Sequence, residues 1–108
     1  MNDPLLATPG AAKAQPAPAG QRSVLAFERG SMQLKYYAPV DVDEQTPHEQ
    51  DELYIVISGT GEFVRGAERT PFAPHDVLFA AAGVAHRFEN FTDDFTTWVV
   101  FYGPPGGE

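Results

Sequence analysis

The chain has 108 residues, no cysteine and a formal net charge of −8. That length suits one domain, the missing cysteine excludes disulfides and a thiolate metal site, and the acidic balance excludes nucleic acid as a partner. Its 43% hydrophobic and 20% charged residues are those of an ordinary globular protein. No apolar run reaches the roughly 18 residues that a membrane span needs, so no membrane partner is expected. The N-terminus lacks the pattern of a secretory signal, and a cytoplasmic location is the expectation.

Residues 1–21 are rich in Ala, Pro and Gly and carry no apolar periodicity. They predict a flexible or extended leader outside the core, with a single domain over 22–108. From there the chain reads as strands. "SVLAF" is short, apolar and partly β-branched, and "MQLKYYAPV" alternates Met32, Leu34 and Tyr36 against Gln33, Lys35 and Tyr37. "ELYIVIS" is a dense β-forming run closed by "GTG". "GEFVRGAERTPF" predicts a strand, a tight turn at Gly66 and a return. "PHDVLFAAAGVAHRFEN" predicts an apolar run, a Gly turn and a further strand, and "FTTWVVFYG" a last strand. No segment has helical spacing with caps. Many short strands separated by Gly and Pro turns predict an all-β sandwich or small barrel.

Asp41, Asp43, Glu44, Glu49, Asp51 and Glu52 crowd one short segment without a Lys or Arg. Such a run is ordinarily a solvated loop. If the backbone is extended there, Thr46, His48, Glu52, Tyr54 and Val56 share one face, and Glu49 and Asp51 turn to water. His86 and Phe88 share a face of the later strand. Two imidazoles and one carboxylate pointing inward from neighbouring strands would make a facial site for one divalent transition metal, Fe, Mn, Ni or Zn.

These residues carry a resemblance. Thr46-Pro47-His48, Glu52 and Gly59 fall on the first motif of the cupins, and His75, Ala81, Gly83, His86 and Asn90 on the second. The chain resembles a small single-domain cupin, which implies a double-stranded β-helix, a jelly-roll barrel. The resemblance implies His48, Glu52 and His86 as metal ligands. Thr46 stands where the family has its first histidine, and a threonine hydroxyl is a poor ligand, so the set is one member short. His75 and Ala81 replace a glycine and a proline, and His75 belongs on a surface turn beside Asp76.

Asn90 reads as a turn amide, and Arg87 as an outward partner for Glu89. Thr46, Tyr54, Phe88 and Trp98 are the candidate lining of a ligand pocket. Two functions follow from the resemblance. One is a metal-dependent enzyme of dioxygenase, isomerase or lyase type acting on a small organic molecule. The other is a non-enzymatic small-ligand or sensor barrel, metal-poor because of Thr46. The aromatic last strand suits a homodimer in either case.

Overall fold

The structure, a computed structural model, describes residues 5–17, 22–41, 43 and 47–108. Eight strands follow one short helix: α1 (Pro9–Ala14), β1 (Ser23–Arg29), β2 (Met32–Tyr37), β3 (Asp51–Ser58), β4 (Gly61–Arg65), β5 (Glu68–Phe72), β6 (Val77–Ala80), β7 (His86–Glu89) and β8 (Thr96–Tyr102). They form a five-stranded sheet in the order β1-β2-β8-β3-β6 and a three-stranded sheet in the order β5-β4-β7. All described pairings are antiparallel. This is the all-β architecture that the alternating runs predict. No helix among the described residues is long and apolar enough to cross a membrane.

The two sheets close on an aromatic core. On β3, Glu52, Tyr54 and Val56 point inward, each almost wholly buried. They pair with Phe101, Val99 and Thr97 of β8, which are therefore also inward. From the small sheet, Phe63, Phe72 and Phe88 complete the cluster together with Phe95. Phe88 is its hub, with ring centroids 4.9 Å from Tyr54, 5.3 Å from Phe63, 5.5 Å from Phe72 and 4.8 Å from Phe95. Edge-on and tilted packing of this kind adds to the area that each ring removes from water.

The turns are set by glycine where a side chain would not fit. Gly59 joins β3 to β4 at φ +85, and a Cβ there would lie 2.5 Å from the Phe95 Cα. The site rejects any other residue both by conformation and by space. Gly66, at φ +58, opens the two-residue turn between β4 and β5, where a left-handed first position matches the strand twist.

Two expectations are corrected here. The 1–21 leader was expected to be non-helical and off the core. Its residues Pro9–Ala14 form a helix, with Thr8 as N-cap accepting from the Ala11 amide, proline in the first turn, and Ala12 buried. This helix lies against β1 and β2. Trp98, expected in a ligand pocket, belongs to the outer face of the large sheet. It pairs with Tyr36 and Ile55 and stacks edge-on with Tyr36 at 5.9 Å. Its neighbour Val99 takes the inward place.

Candidate metal and ligand site

The site forms where the two sheets meet at one end of the sandwich. β3 opens with Asp51 and Glu52, and the strand's start is anchored by Asp51. That carboxylate accepts from the Ala82 amide at 2.9 Å and from the Glu108 amide at 3.1 Å. Asp51 is thus buried, against the expectation that it faces water. An aspartate next to two chain segments with unpaired amides is more stable bonding them than hydrated. The Gly83 amide donates to the His48 carbonyl at 2.8 Å. This bond ties the loop before β3 to the turn before β7, so it brings the two histidine-bearing segments together.

His48, Glu52 and His86 then converge. His48 Nε2 lies 3.2 Å from Glu52 Oε1, and His86 Nε2 lies 2.6 Å from Glu52 Oε2. The Glu52 and His86 side chains are 1% exposed, whereas His48 is 39% exposed and forms the solvent-side member. The Tyr54 hydroxyl donates to Glu52 Oε2 at 3.0 Å and sits 2.9 Å from His86 Nε2. Tyr54 therefore touches the cluster itself rather than a ligand pocket beside it. Phe88, at 2% exposure, is core. Thr46 lies outside the described residues.

Proton positions follow from the partners. His86 Nδ1 is 2.8 Å from the Val84 carbonyl oxygen, which can only accept, so Nδ1 carries a proton. Nε2 then faces a carboxylate either with a second proton or with a bare lone pair. Burial alone would lower the His86 pKa. The hydrogen bonds to Glu52 and Val84 and the charges of Glu52 and Asp43 outweigh it, and the net shift is upward. Glu52 Oε1 is buried without a hydrogen-bond partner. It is within ion-pair range of His48 but off the line of a hydrogen bond.

Two imidazole nitrogens and a carboxylate are the donor types that a divalent transition metal takes, and an orphaned carboxylate oxygen is the atom such an ion would satisfy. The residues fit the metal that the family implies by chemistry. Their arrangement here is not that of a metal centre: among the described residues no group of three or more His, Cys, Asp or Glu side chains is placed to hold a metal ion. The contacts seen are those of one carboxylate shared by two imidazoles and a phenol.

The remaining sequence candidates stay apart from this cluster. His75 sits exposed on a turn at φ 76. The Asn90 amide donates to Glu62 at 2.6 Å, and Arg87 pairs with Glu89, which also pairs with Arg69 at 2.8 Å. The hydrogen bond from Arg87, then that from Arg69, holds Glu89 below the usual carboxylate range. Asp43, grouped with the solvated acids, is instead buried. It accepts from the Phe88 amide at 2.7 Å and from the Tyr37 hydroxyl.

Beside His48 opens a cleft of about 500 Å³, walled by Gln33, Lys35, Gln50 and Phe101 among others. Sequence alternation alone singled out none of these four as pocket lining.

Residues 34–102 match the family model described as the cupin domain. An uncharacterized protein of Streptomyces coelicolor is 44% identical over 62 residues, covering 57% of this chain and 59% of that protein, so the chain spans less than two thirds of this relative's length. Among solved structures, a Thermus thermophilus protein superposes with a TM-score of 0.72 at 21% identity, covering 95% of this chain and 98% of that one. A Cupin 2 conserved barrel domain protein from Salinispora arenicola gives 0.70 at 20% identity, with 94% and 91% covered. Likeness at such identities speaks for the fold, and the family match over most of the strands speaks for descent: this chain belongs to the cupin family.

Proposed function

We propose that this cupin is a small-molecule-binding barrel that holds one divalent transition metal on His48, Glu52 and His86 and takes its ligand in the adjoining cleft. One observation carries the reading. His86 commits its Nδ1 proton to Val84 and turns Nε2 onto a buried carboxylate, and two such acceptors so close need a proton or a metal ion to hold them together. A fixed Nδ1 donor is also the arrangement that orients a metal-ligating imidazole. Glu52 would neutralise the ion, and Tyr54 would hold the carboxylate in place through its hydroxyl. The aromatic core below would keep water from the inner side. When bound, the metal would supply Lewis-acid polarisation of a ligand oxygen, or oxygen activation if it is iron.

A second reading has its own support. The positive charge between His86 and Glu52 need only be a proton, and the 2.6 Å contact suits a charged hydrogen bond. The barrel would then bind its ligand without metal. Elemental analysis of untagged protein, reconstituted in turn with Fe(II), Mn(II), Ni(II) and Zn(II), separates the two. About one equivalent bound, retained in His75→Ala and lost in Glu52→Gln, is the expected result for the metal reading. No ion retained from any of the four would end it and leave the metal-free barrel.

The same proposal includes a homodimer. The outer face of β6-β3-β8 is apolar, with Ile55 38%, Val77 61% and Phe79 40% exposed, while α1 covers the far side of the sheet over β1 and β2. A second copy of this face would be its self-complementary cover. Sedimentation velocity is expected to give a dimer for the native chain and a monomer for Val77→Glu. A native chain that sediments as a monomer at tens of micromolar would remove this part of the proposal.

A further inference from the structure

β2 places a lysine where strands rarely carry one. Lys35 pairs with Val99 of β8, and Val99 is an inward core residue, so Lys35 shares the inner face of the large sheet. Its side chain is half-buried and lines a cleft. Among the described residues no carboxylate pairs with it, and its contact is the ring of Phe101, 5.5 Å from the ammonium to the centroid. A cation over an aromatic face is held weakly and keeps its N–H donors free for a ligand.

The space beside it is built rather than accidental. Gln50 donates one amide group to the carbonyls of Ser31, at 2.8 Å, and Gly103, at 3.0 Å. The Gly103 amide in turn donates to the Ser31 hydroxyl at 3.1 Å. These bonds fix the wall of a cleft of about 500 Å³, which is within the range of small-molecule sites. Phe101 also lines it and touches both Lys35 and His48, whose ring centroid is 4.8 Å from that of Phe101.

We infer that the cleft binds a small organic acid carrying one carboxylate, with Lys35 as its anchor, Phe101 against its apolar part and His48 at its other end. The charge balance selects the class. Lys35 is the cation that lines the cleft, Glu49 stands exposed at its rim, and the chain as a whole carries −8. Long-range repulsion and the rim carboxylate act against phosphorylated or polyanionic molecules, while one carboxylate at hydrogen-bond distance from the Lys35 ammonium gains a charge-assisted bond. This inference rests on the reading of the barrel as a small-molecule binder but not on the metal.

The test is titration of the ¹⁵N-labelled full chain with benzoate and with neutral benzamide, followed by backbone amide shifts, on both wild-type protein and Glu52→Gln. Benzoate is expected to shift the amides of Lys35, His48 and Phe101 in both proteins. It should bind at least ten-fold more weakly to Lys35→Met, which keeps the aliphatic stem over Phe101, and close to wild-type strength to Lys35→Arg, which keeps the charge. Benzamide is expected to bind at least ten-fold more weakly than benzoate. Equal binding of benzoate and benzamide, equal binding by wild type and a folded Lys35→Met, shifts confined to residues outside the cleft, or no shifts at millimolar benzoate would each overturn the inference. Because Glu52→Gln disables the proposed metal cluster and leaves Lys35 intact, a failure of the metal reading leaves this result distinct.

Discussion

His86→Ala is expected to destabilise the fold by about 3–5 kcal/mol, and His86→Ala combined with Glu52→Gln to cost less than His86→Ala alone. The reason is the state of Glu52. Its side chain is 1% exposed, and its charge is opposed by the equally buried His86 at 2.6 Å and by the half-exposed His48 at 3.2 Å. Removing the inner imidazole leaves a carboxylate in a nearly dry site with only the neutral Tyr54 hydroxyl and the off-line His48 beside it, and an uncompensated buried charge costs several kcal/mol. Against a total stability of about 5–15 kcal/mol for such a domain, that loss is large. Glu52→Gln keeps the shape and an acceptor for the Tyr54 hydroxyl while removing the charge, so in the double variant there is no orphaned ion to bury. Urea denaturation of the four proteins, free of added metal, gives the coupling directly. A double variant at least as unstable as the sum of the single ones would mean that His86 acts by packing and that the charge pair contributes nothing.

That pair was legible in the chain because a motif records spacing along the sequence, and spacing was what mattered at His48, Glu52 and His86. The strand alternation of β3 and the glycine stop at Gly59 were legible for the same reason: period two and a turn are local properties. What alternation does not carry is its sign. β8 reads equally well with Trp98 or Val99 inward, and the larger ring was the wrong choice because Tyr36 offers it an edge-on partner on the outer face. The same ambiguity hid Lys35, whose strand alternates plainly while leaving open which set faces the cleft. The helix at Pro9–Ala14 is six residues long, too short to show a periodicity, although Thr8 followed by Pro9 is a start signal. Asp43 had no local signal at all. Its partners, Phe88 and Tyr37, are 45 and six residues away along the chain, and a buried aspartate in an acidic run looks like its solvated neighbours.

Asp43→Ala is accordingly the second substitution expected to have a large effect, about 3 kcal/mol. Among the described strands β7 is an edge of the small sheet, next to β4, and an edge strand leaves alternate amides without a ladder partner. The Phe88 amide is one of these, and the buried Asp43 carboxylate receives it at 2.7 Å while also accepting from the Tyr37 hydroxyl. Alanine would strand a buried amide and deprive the phenol of this acceptor, each at about 1–3 kcal/mol. Asn retains one oxygen and is expected to cost less than half as much. The effect reaches the site because Phe88 is two residues from His86 on the same short strand, and the pairs Phe63–Phe88 and Arg65–His86 set the register of that strand on β4. With the Asp43 bond gone, the Phe88 amide on the outer edge of β7 loses its described acceptor, and the placement of His86 Nε2 against Glu52 loosens with it. Native-state hydrogen exchange is the sharper measurement, since the Phe88 amide should lose protection in Asp43→Ala more than the β3 amides do. Unchanged protection at Phe88, with stability within 0.5 kcal/mol of wild type, would show that the edge of β7 is satisfied by other means and that Asp43 has no part in holding the histidine.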